Sequence, residues 1–196
     1  MSYAKKVTVE EIEALELASF LGEIFVISSA GEELDAAIEY LSSQKYIGFD
    51  TETKPCFIPK VPRNKMAILQ LSGGEKAFLF RLQQVGVPQG LADILSNGNI
   101  IKVGAAIHDD IKGLQAYNRF EPGGFVDLQK IAADYGIEEK SVRKMAAIVI
   151  KRRVSKSQQL SNWESMQLSE AQQRYAAIDA WVCREMYLKL NEIKND

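Results

Sequence analysis

Asp50 and Glu52 stand at i and i+2 in the run Tyr46-Ile47-Gly48-Phe49-Asp50-Thr51-Glu52-Thr53. Alternate residues of a strand share a face and sit about 6.5–7 Å apart along the chain. The two carboxylates therefore point the same way, at the edge of what Ile47 and Phe49 mark as core. Like charges in such a place repel one another and lose hydration. A divalent cation removes the conflict, and all-oxygen ligation favours Mg²⁺ or Mn²⁺ over zinc. Alone, a D-x-E is short and common, and the same residues also fit a polar strand end or a loop cap.

Two further groups of residues carry chemistry. In Tyr175-Ala176-Ala177-Ile178-Asp179-Ala180, the spacing i and i+4 places Tyr175 and Asp179 on one helix face. Val182 and Met186 continue that face and turn Asp179 toward a sheet; by itself, Tyr175 fits equally a core aromatic and Asp179 a boundary residue. In Ala106-Ile107-His108-Asp109-Asp110-Ile111, either aspartate offers a carboxylate, and either also serves as a helix cap. His108 is the chain's single histidine. With no second imidazole or nearby thiol, it reads as a surface residue rather than a zinc ligand.

These residues need elements to position them. Thr8 with Glu11, Ser29 with Glu32, and Ser169 with Gln172 read as reciprocal helix caps. They predict helices over 8–21, from Ser29 past Leu41, and from Ser169 to about Ile193. Strand-like runs cover 24–27, 46–51, 66–72, 77–80 and 100–106, with Phe125-Val126 as a further short one. Gly73-Gly74 marks a hairpin between the third and fourth. Shorter helices fit 91–95, 110–117 and a segment opening at Asp127. Meandering strands followed by strand–helix alternation point to a mixed α/β sheet with helices packed on it.

Composition narrows the rest. The 196 residues are 46% hydrophobic, with 24 Lys+Arg against 26 Asp+Glu. That suits one folded domain and excludes a disordered chain. No apolar core follows the N-terminus, and the longest apolar run, Met145 to Ile150, is far short of a membrane span. Cys56 and Cys183 suggest neither a disulfide framework nor a zinc site. The setting expected by default is soluble and cytoplasmic. The near-zero net charge conceals a gradient: residues 1–50 hold ten acids and three bases, whereas Ser141 to Ser157 hold six bases and no acid. Such a stretch suits phosphate binding and, equally, a solvated helix face.

The ordered set Asp50 and Glu52, then Asp110, then Tyr175 and Asp179 resembles the DEDD superfamily of 3′–5′ exonucleases, in its tyrosine-containing branch. Asp110 is preferred to Asp109 because Ile107, Asp110 and Leu114 fit the frame of the family's middle motif. Gly48-Phe49-Asp50-Thr51-Glu52, Leu69-Gln70-Leu71, Ser161-Asn162-Trp163 and Tyr175-Ala176-Ala177 match habits of the Werner-type and ribonuclease D-type exonuclease domains. The resemblance spans about 24–190.

It implies a ribonuclease H-like α/β fold, with a mixed five-stranded sheet and helices on both faces. It also implies a single domain over 1–196, with the predicted helix at 8–21 as an N-terminal addition. The expected activity is metal-dependent hydrolysis of DNA or RNA from a single-stranded or recessed 3′ end, releasing nucleoside monophosphates. By the same resemblance, Asp50, Glu52, Asp110 and Asp179 would hold two Mg²⁺ or Mn²⁺ ions, and Tyr175 would orient the attacking water. Lys156 and the basic segment before it are candidate phosphate contacts; Gln70 and Trp163 are further substrate-binding candidates, with Trp163 reading first as a structural anchor packed on the sheet.

Two departures stand out. The position after Glu52, often aromatic in Werner-type domains, is Thr53, and these residues hold no helicase and no helical appendage of the ribonuclease D kind. The competing functional reading is a nucleic-acid-binding module that keeps the fold but no longer cuts. Retention of all five side chains argues against it.

Overall fold

A computed structural model describes residues 3–59 and 64–194. Helix α1 (Val9–Glu13) opens on the expected reciprocal cap, with Glu11 N donating to Thr8 Oγ1 at 3.2 Å and Thr8 N to Glu11 Oε2 at 2.8 Å. It is far shorter than 8–21. Beyond Ala14 the chain pairs with a distant segment instead of continuing its own helix. Arg153 N donates to Glu16 O at 2.9 Å, and Ala18 N donates to Arg153 O at 2.8 Å. Strand β1 (Glu23–Ile27) leads to α2 (Glu32–Ser42). Its N-cap is Gly31, at φ 138°, and not Ser29. Glycine turns the chain sharply there, so the first helical residue falls later than the sequence pattern suggests.

Next come β2 (Tyr46–Thr53), β3 (Met66–Ser72), β4 (Lys76–Arg81), α3 (Leu82–Val85) and α4 (Gln89–Ser96). They are followed by β5 (Ile101–Gly104), α5 (His108–Gln115), β6 (Phe125–Asp127), α6 (Leu128–Asp134), α7 (Val142–Val149) and the long α8 (Glu170–Lys194). The α8 start has the reciprocal cap read from sequence, Ser169 N to Gln172 Oε1 at 2.9 Å and Gln172 N to Ser169 Oγ at 3.2 Å. The strands form one mixed sheet in the order β1-β4-β3-β2-β5-β6, with β3 antiparallel to both β2 and β4 and the other pairings parallel. That is six strands rather than five, the short β6 supplying the last.

Alternation along the strands separates two layers. Ile47, Phe49, Leu69, Leu71, Phe78 and Phe80 bury against Leu34 and Leu41 of α2 and Leu91 and Leu95 of α4. The opposite face carries Ile68, Leu79 and Val103 beneath α6, α7 and α8. Helix α8 approaches β2 so closely that a Cβ on Gly48 would lie 1.8 Å from the Ala180 carbonyl oxygen. Ala176, Ala177 and Ala180 are fully buried at this seam. The small residues around Asp179 are thus what lets its helix lie flat against the strand bearing Asp50.

Pairing of β2 with β5 ends at Gly48–Val103, while pairing with β3 runs on to Thr53. Past Gly48, one side of β2 is therefore open, at the carboxyl end of parallel neighbours where α/β sheets place their sites. Strand β5 stops earlier than 106 because the chain turns at Ala106, whose φ is 59°. Ala106 N donates to Asp127 Oδ1 at 3.1 Å, which holds that turn and delivers the first turn of α5 to the opening.

Gly48→Ala forces α8 away from β2. The expected loss of stability is about 1–3 kcal/mol, as for other overpacked interiors, read from the urea unfolding midpoint; an unchanged midpoint contradicts the close contact.

Candidate active site

Asp50 and Glu52 project from β2 on the face that α8 covers, and Asp179 descends from α8 onto them. One ligand oxygen from each of the three lies within 4.8 Å of the other two. Asp179 is 8% exposed, and Asp50 and Glu52 are half-buried. Burial first, then the Asp179 and Asp110 charges, hold the Asp50 carboxyl well above the usual carboxylate range, against an opposing hydrogen bond from the Thr51 backbone. Burial and the neighbouring carboxylates, Asp50 foremost, push Glu52 up to about 9. Burial pushes Asp179 up to about 7, with the Tyr175 hydrogen bond partly offsetting it. Oxygen ligands packed this tightly, each resisting ionisation, suit a divalent cation, which would replace their protons and cancel their repulsion.

Asp110 is placed differently. It is half-buried at the start of α5, accepts a hydrogen bond from Thr51 Oγ1, and lies outside the group of three. It remains close enough to raise the pKa of both Asp50 and Glu52. Asp109, its neighbour, is exposed, as is His108.

Tyr175 sits one helical turn before Asp179, with its hydroxyl interacting with that carboxylate. Burial, and then the charges of Asp179 and Glu52, raise its pKa far above that of a free phenol. The group stays protonated at neutral pH, so it acts as a donor and not as a base. Its ring packs on Trp163, with centroids 6.0 Å apart.

A cleft of about 340 Å³ opens over the carboxylates, bordered by Tyr175, Arg143, Ser155, Lys156 and Gln159. Lys156 is exposed at its rim and has no ion-pair partner among the described residues. The cleft thus draws on the basic stretch that the sequence marks for phosphate, Arg143 and Lys156 included, whereas nothing in the sequence marks Gln159. Nor does the sequence announce that Glu13 ion-pairs both Arg143 and Arg153, or that Glu16 pairs Arg152 at 3.2 Å. The acidic N-terminus thus partly neutralises the basic segment it lies against.

Two substrate-binding candidates lie in the interior. Trp163 is 0% exposed, enclosed by Ala67, Ile68, Leu79, Leu168 and Ala176, as its reading as a structural anchor expects, and its ring offers no face for stacking a base. Gln70 is likewise 0% exposed because β3 is a central strand roofed by α8. Neither amide atom of Gln70, nor the Trp163 indole nitrogen, has a hydrogen-bond partner.

Residues 25–194 match the family model described as 3′–5′ exonuclease. The chain is 32% identical over 159 residues to the bifunctional 3′–5′ exonuclease/ATP-dependent helicase WRN of Mus musculus, covering 78% of this chain and 11% of that protein. It is 28% identical over 167 residues to DNA polymerase I of Aquifex aeolicus, covering 85% of this chain and 27% of that protein. Its length thus corresponds to a minor part of either relative. The crystal structure of Escherichia coli RNase D superposes with a TM-score of 0.76 at 23% identity, over 87% of this chain and 44% of the other, which establishes the shared fold. The matched span contains Asp50, Glu52, Asp110, Tyr175 and Asp179, and the chain belongs to the 3′–5′ exonuclease family.

Proposed function

We propose that residues 1–196 act as one exonuclease domain, with its family-like core over about 24–190. It would hydrolyse the last phosphodiester of a DNA or RNA strand at a free or recessed 3′ end and release nucleoside monophosphates. The observation that supports this reading most directly is the meeting of Asp50, Glu52 and Asp179, from two distant elements, within 4.8 Å beside Tyr175. Asp50, Glu52, Asp179 and Asp110 would hold two Mg²⁺ or Mn²⁺ ions, which would supply an activated water and neutralise charge on the leaving oxygen.

The chain's own side chains do the rest. Tyr175 keeps its proton and orients the water by hydrogen bonding. Lys156, without an ion-pair partner at the rim among the described residues, meets the phosphates of the incoming strand, while Arg143 beside it is held by Glu13. Thr53 and Asp110 line a second cleft of about 430 Å³ with Met66, Gly113 and Tyr117. It adjoins the carboxylates along β2 and would lodge the terminal sugar and base. Thr51 fixes Asp110 between the two clefts. The names of the relatives include both a DNA polymerase and a ribonuclease, so the reading spans both sugars.

Incubated with Mn²⁺ and a 3′-recessed duplex or single strand, the protein is expected to shorten the strand stepwise from its 3′ end. EDTA and Asp50→Ala abolish the reaction. Tyr175→Phe slows it by about 100–1,000-fold, the usual cost of losing one well-placed donor, with Mn²⁺ affinity retained. Binding of the strand without shortening would instead favour a silent binding module.

The raised carboxyl pKa values give a second expectation. Glu52 near 9 and Asp179 near 7 retain protons that the unfolded chain, at about 4, has lost. The folded state then binds more protons, so these groups make the metal-free protein less stable as pH rises from about 4 through 7 toward 9. Bound cations replace those protons. The rise in Tm on adding Mn²⁺ is therefore expected to be larger at about pH 8.5 than at about pH 6; equal rises contradict the charge conflict.

A further inference from the structure

We propose that Gln70 is a positioning residue for Asp50: its enclosed carboxamide holds the Asp50 carboxylate in the orientation that cation binding requires. The inference rests on the exonuclease reading above and adds to it a residue from outside the ligand set.

The β2–β3 register pairs Asp50 directly with Gln70. Directly opposed residues of an antiparallel ladder share a face, with Cβ atoms about 4.5–5.5 Å apart. The glutamine therefore lies beside Asp50, beneath α8 and away from solvent. It is 0% exposed, and both its Nε2 and Oε1 lack partners. On its own face Ile68, two residues back along β3, and Leu79, opposite it on β4, are apolar, while Ser72, two residues on, is a buried hydroxyl that donates to the Gly73 carbonyl. Packing alone favours a leucine or methionine there, since an unpaired buried amide is unfavourable.

The polar groups of this layer limit what the amide can serve. The Trp163 indole nitrogen is a donor and cannot accept from Nε2, though it complements Oε1. Cys183 is buried and its thiol is a weak acceptor. The acceptor that carries charge and lies directly opposite in the ladder is the Asp50 carboxylate; the two make no direct hydrogen bond, so the amide would reach it through one enclosed water. A neutral amide suits this role, because it orients the carboxylate without adding charge of either sign. Groups that orient a metal's ligands in this way typically change metal affinity by about 10–100-fold when removed.

Gln70→Met keeps the length of the side chain and removes its hydrogen bonds; Gln70→Leu is a second variant should methionine pack poorly. In calorimetric titration, the variant is expected to bind Mn²⁺ about 10–100-fold more weakly. Its metal-free Tm is expected to be equal to or above that of the wild type, an outcome a merely structural glutamine would not give. Unaltered Mn²⁺ affinity in the variant, or unaltered affinity with a lowered Tm, overturns the inference while leaving the exonuclease reading in place. A wild-type protein that binds no Mn²⁺ overturns both.

Discussion

Three carboxylates with ligand oxygens within 4.8 Å of one another repel strongly, and a free chain would drive them apart. Here the contact of Gly48 with the Ala180 carbonyl prevents that, because it locks β2 against α8 one or two residues from Asp50 and Asp179. Burial, and for Asp50 and Glu52 the repulsion as well, is then expressed as raised pKa values instead of as movement. Proton retention at neutral pH is what leaves the site poised for a cation. Hydrophobic packing on both faces of the sheet supplies the stability against which this local conflict is held.

The surrounding elements extend that arrangement. Early termination of β5 opens one side of β2, the left-handed turn at Ala106 brings α5 to the gap, and Thr51 ties Asp110 to the same strand. After α7, Lys151 takes a left-handed conformation at φ 53°, and Ile150 N and Arg152 N return to Ala146 O. This turn closes the helix and sends the basic segment back along the cleft. The segment is also held from outside by Glu13 and Glu16, so part of its charge is already spent within the fold. Lys156 stands exposed at the cleft without an ion-pair partner among the described residues.

Much of this was legible in the residues. Asp50 and Glu52 at i and i+2, and Tyr175 and Asp179 at i and i+4, fix which side chains share a face before any tertiary contact is known. The caps at Thr8 and Ser169 are local hydrogen-bond patterns and read correctly for the same reason. Where long-range pairing decided, sequence patterning failed. The N-terminal helix ends at Ala14 because the next residues bond to Arg153, and β5 ends at Gly104 because of a turn held by Asp127. Lys102, within an apolar strand, is fully buried yet satisfied by the Ile94, Asn97 and Ile100 carbonyls at the end of α4, a partnership no local pattern announces. Gln70 illustrates the opposite case, where residue type suggests substrate contact but strand order and the roof formed by α8 place it in the interior; Trp163 is buried as its structural-anchor reading expects.

Convergence of these acids around hard cations is open to direct observation by anomalous diffraction from crystals grown in Mn²⁺. Two peaks about 3.5–4 Å apart are expected, one touching Asp50, Glu52 and Asp179 and the other lying between Asp50 and Asp110. No peak at millimolar Mn²⁺, with the carboxylates turned apart toward solvent, would contradict the proposed chemistry at its root.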